Sequence, residues 1–169
     1  MAYTIKRYHG GYNISRRTQP VRYIVVHYTG SGTSAPGTAR KNCQYFAGGN
    51  RNSSAHYFVD DGYIYEYADP DRYYTWHCGD GKGRYGISNS NSIGIEVCRN
   101  GNQPYTAAEL DRLHWMVRQL MERYDVPESR VMRHYDASRK ACPYWYTPYG
   151  SGGTAGWNNL RNTITDPYG

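Results

Sequence analysis

The chain has 169 residues, is 38% hydrophobic and 20% charged, and carries a formal charge of +6 with a pI near 9.1. That length supports one core without staples, so the reading is a single domain over residues 1–169. No apolar stretch approaches the roughly 20 residues of a membrane helix, which argues against a transmembrane segment.

Met1-Ala2-Tyr3-Thr4-Ile5-Lys6-Arg7 is not followed by the apolar segment of a signal peptide. The expectation is therefore a chain made in the cytoplasm of its host, or a secreted one if the sequence is trimmed. Arg16-Arg17 and Arg139-Lys140 are too short for a nucleic-acid arm, so no nucleic-acid partner is expected. Tyrosine occurs 20 times against two phenylalanines, Phe46 and Phe58. So many phenols suit half-wet surfaces as well as a leucine-poor core. Cys43, Cys78, Cys98 and Cys142 read as free thiols, with a pairing among the first three left open.

In chain order, residues 1–19 read as an irregular polar lead-in. Val21 to Tyr28 is an apolar run suited to a central strand, and Pro36 to Ala47 a helix stopped by Gly48-Gly49. Ala55 to Val59 and Tyr63 to Tyr67 flank Asp60-Asp61-Gly62, the chemistry of a hairpin turn. Gly79 to Asn91 reads as a surface loop. Ser92 to Cys98 alternates, with Ile93, Ile95 and Val97 on one face and Gly94, Glu96 and Cys98 on the other.

Thr106-Ala107-Ala108-Glu109 is a capping box, after which Leu110, Leu113, Val117, Leu120, Met121 and Tyr124 recur at helical spacing. Arg130 to Arg133 reads as a short strand ending at His134, and Trp157 to Ile164 as a terminal helix. The pattern predicts an α/β fold: a central mixed sheet flanked by helices, with long loops around an open face. No second module is visible.

The candidate chemistry lies in three places. His27 stands near the end of the first apolar run, and His134 and Cys142 bracket a short segment containing Lys140. Imidazole nitrogen and thiolate sulfur are donors that Zn²⁺ prefers, and a catalytic zinc takes three protein ligands with one position open. Singly, His27 reads as a hydrogen-bonded strand histidine and Lys140 as a surface lysine. Together the residues read as a site for one catalytic Zn²⁺. Glu96 lies off the apolar face, with Gly94 leaving room above the sheet. A carboxylate there suits a general base, and an ammonium at Lys140 suits an oxyanion.

These residues carry a resemblance. The segments Ile-Val-Val-His-Tyr-Thr at 24–29, Ala-His-Tyr-Phe-Val-Asp-Asp-Gly at 55–62, Trp-His-Cys-Gly at 76–79, Asn-Ser-Ile-Gly-Ile-Glu at 91–96 and His134…Lys140…Cys142-Pro143 run through most of the chain. Their order resembles the zinc-dependent N-acetylmuramoyl-L-alanine amidases of the amidase-2 type, a superfamily shared with peptidoglycan-recognition proteins, and most of all phage endolysins and prophage-type autolysins.

The resemblance implies His27, His134 and Cys142 as zinc ligands, Glu96 activating water and Lys140 steadying the oxyanion. It also implies His77 and Trp76 in substrate contact, and a structural His56. A catalytic tyrosine that precedes the equivalent of His56 in some phage amidases is replaced here by Ala55, which favours the glutamate route. The implied partner is bacterial peptidoglycan, met by a monomer released to the wall. The competing reading is a wall-binding module that does not catalyse.

Overall fold

The computed structural model describes residues 2–168. Its strands and longer helices, in chain order, are β1 (Ile5–Arg7), β2 (Ile14–Arg16), β3 (Tyr23–Tyr28), α1 (Thr38–Ala47), β4 (Tyr57–Val59), β5 (Ile64–Glu66), β6 (Tyr73–Thr75), β7 (Ser92–Val97), α2 (Ala107–Tyr124), β8 (Val131–Arg133), α3 (His134–Ser138) and α4 (Gly153–Thr165). Six strands form one sheet in the order β1-β5-β4-β7-β3-β8, while β2 and β6 make a separate antiparallel pair. Only β4 and β5 run antiparallel in the main sheet. They are joined by the predicted turn, in which Asp60 Oδ1 accepts from the backbone N–H groups of Gly62 and Tyr63.

The two long central strands form because β-branched residues recur along them, Ile24, Val25 and Val26 in β3 and Ile93, Ile95 and Val97 in β7. Ile24, Val26, Ile93, Ile95 and Val97 are fully buried on one face. Against them pack Leu113, Met116, Val117 and Leu120 of α2 together with Trp157, Leu160 and Ile164 of α4. α2 starts where the capping box predicts: Thr106 Oγ1 accepts from the Glu109 N–H, and Glu109 Oε1 accepts from the Thr106 N–H. On the opposite face α1 covers Phe58 and Cys98, while Val25 packs with Cys78, Ile87 and Ala137. The remainder of that face, around the ends of β3 and β7, is left for the site.

One reading of the sequence needs correction. Residues 1–19 are not wholly irregular, since β1 adds in parallel to β5 and β2 pairs with β6. Arg17, which follows β2, is held in place by the loops around it. The Arg17 guanidinium donates to the backbone carbonyls of Pro70, Tyr73, Ser90 and Ser92 and so clamps two loops together. The 79–91 loop holds two 3₁₀ turns, and it buries Gly81 and Ile87. All four cysteines are free and buried.

Candidate active site

β3 and β7 are parallel neighbours, and their register sets His27 directly beside Glu96, two pairs along from Val25 beside Gly94 and so on the same face. Side chains alternate along a strand, so His27 and Glu96 emerge together on the face away from α2 and α4. β3 pairs on its other side with β8, whose last residue is followed at once by His134, the first residue of α3. The chain then turns back through Arg139, in a left-handed conformation, to Cys142. The Cys142 carbonyl accepts from the Tyr135 N–H, which ties the returning loop to α3.

These placements bring together one donor atom each from His27, His134 and Cys142, all within 4.8 Å of one another. Nδ1 of His27 lies 3.0 Å from Nδ1 of His134 and 3.9 Å from Sγ of Cys142. Donors on a tetrahedral zinc with ordinary bond lengths stand about 3.3–3.6 Å apart, a range that these two separations bracket. The donor set, two imidazoles and a thiol, suits zinc, with space left on the cleft side for a fourth ligand.

Electrostatics fit a cation as well. Burial, then the neighbouring His134 and His77 and Lys140, holds His27 well below the usual histidine range, so its ring is neutral and free to ligate. Burial and Glu96 push the Cys142 thiol up. A divalent cation reverses that balance, because a coordinating thiol loses its proton outright. Glu96 Oε1 lies 3.9 Å from His27 Nδ1, while Oε2 is buried without a hydrogen-bond partner. Burial pushes its carboxyl up to about 8, against the opposing pull of Lys140. A carboxyl poised near neutrality with one free oxygen is suited to taking and returning a proton.

The donor cluster floors a lobe of 320 Å³ lined also by Tyr28, Thr29, Phe46, Ser54 and Lys140. A second lobe of 450 Å³ is lined by Asn52, Asp80 and Asn89, and both lobes share Ser53, Trp76, His77, His134 and Lys140. Trp76 stands on the cleft wall, 37% exposed, and its Nε1 donates to Ser15 Oγ. Lys140 is exposed at the rim. His77 is buried, with Nδ1 2.9 Å from His27 Nε2 and Nε2 2.8 Å from Ser92 Oγ.

His56 is structural as read. Its Nε2 donates to the Tyr73 carbonyl, its Nδ1 accepts from the Gly94 N–H, and burial brings it down to about 3. Two contacts of the site have no local signature in the sequence: Asp80 Oδ1 lies 2.7 Å from His134 Nε2, and Ser92 Oγ 2.8 Å from His77 Nε2. A larger hollow of 510 Å³ around Arg7, His9, Glu66 and Arg123 lies elsewhere, and Glu66 within it is already paired with Arg7 and His9.

A mixed α/β sheet holding a His/His/Cys cluster beside a buried carboxylate has the makings of a metal-dependent hydrolase. Residues 17–145 match the amidase-2 family model, described as N-acetylmuramoyl-L-alanine amidase, and the chain belongs to that family. It is 33% identical over 143 residues to N-acetylmuramoyl-L-alanine amidase CwlH of Bacillus subtilis, covering 85% of this chain and 52% of CwlH. It is also 33% identical over 121 residues to XlyA of the same organism, covering 72% of this chain and 39% of XlyA.

The chain thus spans about half or less of the length of these relatives. Among solved structures, a mutant endolysin from Bacillus subtilis superposes with a TM-score of 0.78 at 26% identity, covering 96% of this chain and 99% of that one. The catalytic domain of XlyA gives 0.77 at 27% identity with the same coverage. The predicted fold class is the one found. Among the described residues no helix is long and apolar enough to cross a membrane.

Proposed function

We propose that this chain is a zinc-dependent hydrolase of bacterial peptidoglycan that cleaves the amide between N-acetylmuramic acid and the L-alanine of the stem peptide. The observation that carries this reading is the convergence of His27, His134 and Cys142 with Glu96 in register beside His27. The amidases named above, and the endolysin whose structure superposes, support the substrate class.

His27 Nδ1, His134 Nδ1 and Cys142 Sγ would hold the ion. When bound, zinc supplies Lewis acidity, polarising a carbonyl and bringing the pKa of water toward roughly 7. Glu96 Oε2, with no competing hydrogen bond, takes a proton from the attacking water and returns it to the leaving amine of alanine. Lys140, exposed at the rim and lining both lobes, offers its ammonium to the oxygen on which negative charge develops. Trp76 offers a flat apolar wall against which a sugar or peptide can lie, and the two lobes give room on either side of the scissile bond. We place the chain as a monomer that reaches the wall as an endolysin or autolysin does.

Incubation with purified walls should release new free amino termini on alanine. Glu96→Ala should keep stoichiometric zinc and lose about 10²–10⁴-fold in turnover. A parent protein that binds walls but frees no alanine amino termini would leave only a binding module, and an unimpaired Glu96→Ala would remove the base assignment.

A further inference from the structure

The segment His77–Asp80 touches both histidines of the donor cluster from the side away from the metal position. His77 Nδ1 meets His27 Nε2 at 2.9 Å, and Asp80 Oδ1 meets His134 Nε2 at 2.7 Å. We propose that His77 and Asp80 are positioning residues that fix the tautomer and angle of the two rings, so that each presents an Nδ1 lone pair to the metal. This inference rests on the zinc reading above and deepens it.

Proton counting along the contacts supports the assignment. The Ser92 hydroxyl donates to the Ser88 backbone carbonyl, which can only accept. Ser92 Oγ therefore accepts from His77 Nε2–H. That leaves His77 Nδ1 as an acceptor for His27 Nε2–H, and His27 Nδ1 bare. On the other ring the Asp80 carboxylate can only accept, so His134 donates from Nε2 and its Nδ1 is bare as well. The two bare nitrogens face each other at 3.0 Å, an arrangement that a cation bound to both makes favourable. Metal-ligating histidines commonly donate their second N–H to such partners, which orients the ring and raises its basicity.

The segment is built to hold this position. Gly94, on the floor of the cleft, makes room for the His77 ring, since a Cβ there would stand 2.6 Å from its Cγ. The space above Gly94 that the sequence suggested is thus filled by His77. Asn89 Oδ1 accepts from the backbone N–H groups of both His77 and Cys78. At Gly81 a Cβ would lie 2.0 Å from the Ala137 carbonyl oxygen, so only glycine lets this turn press against α3 and carry Asp80 to His134. With both ring nitrogens engaged and 7% of its surface exposed, His77 has little left to offer substrate.

The test is zinc affinity, measured by competition with a chromophoric chelator, together with the visible spectrum of the Co²⁺-substituted protein. His77→Ala and Asp80→Ala should each bind zinc about 10–100-fold more weakly. His77→Gln should recover most of the loss, because its amide oxygen can accept the His27 Nε2–H. Gly94→Ala should weaken zinc with His77 itself unchanged, by displacing the ring. Should His77→Ala not fold, the Asp80 and Gln variants still decide, as the Asp80 side chain is 48% exposed.

Folded His77→Ala and Asp80→Ala proteins with parental zinc affinity and an unshifted cobalt spectrum would overturn the inference alone. The same holds if His77→Ala changes only KM, since that is the signature of substrate contact. A parent protein that takes up no zinc would instead bring down the metal reading, and this inference with it.

Discussion

The two faces of β3 and β7 are made from alternate residues of the same two strands, yet they obey different rules. On the helix side Ile24, Val26, Ile93, Ile95 and Val97 need only be apolar and of suitable size, and their burial stabilises the fold by about 1.5–3 kcal/mol each. On the cleft side Gly94 is fitted to the His77 ring and His27 to the donor cluster, while Glu96 keeps one carboxylate oxygen without a partner. One face supplies stability through many interchangeable contacts. The other depends on a few contacts with no substitutes, carried by a scaffold that the first face makes rigid.

The comparison can be broken in four places. The largest effect is expected from Cys142→Ala, which removes a donor and should abolish both stoichiometric zinc and wall digestion, as metal analysis and turbidity assays would report. A variant that kept its zinc would contradict the ligand set. Lys140→Met should lower kcat about 10²–10³-fold, the scale of one lost oxyanion partner, with zinc content and melting unchanged. An equal fall through KM alone would make Lys140 a binding residue instead.

Across the sheet, Ile95→Ala should cost about 2–5 kcal/mol in denaturant unfolding while the folded fraction keeps its zinc and turnover. If zinc affinity fell in proportion, the two faces would not be separable.

The smallest effect concerns Glu109, fully buried at the start of α2, which burial pushes from the usual value of 4.5 up to about 7. The folded state then holds a proton that the unfolded chain has released. This contribution is complete below pH 4.5 and is lost as pH rises through 7. Glu109→Gln keeps the oxygen that accepts from Thr106, and it should flatten the decline in stability between pH 4.5 and 7. The expected difference in slope is on the order of 1 kcal/mol per pH unit. Parallel curves for the two proteins would show that Glu109 is ionised in the fold.

What could be read in advance follows from length and from chemistry. β3, β7 and α2 are long enough for a period to show, and the capping box at Thr106 and Glu109 marks a start that the structure keeps. β1, β2 and β6 have three residues each, too few for alternation to stand out, and their pairing is decided by distant partners. α4 begins at Gly153, ahead of the apolar residues that made its latter part visible. In the site, donor chemistry pointed to His27, His134 and Cys142 because few residue types can do that work. The connections of His77 and Asp80 were hidden because they depend on how closely a loop approaches the sheet. Gly94, a lone glycine among β-branched residues, was the available hint.

Arg17 carries a practical consequence for moving this unit into another chain. A graft cut at the borders of the family match, 17 and 145, would begin on the very residue that braces the carbonyls of Pro70, Tyr73, Ser90 and Ser92. It would discard β1, β2 and the Ser15 partner of Trp76, and it would strip Trp157, Leu160 and Ile164 from the helix layer. A transplant that is to stay folded should therefore carry the stretch from residue 5 to residue 165 intact, with any splice made outside it.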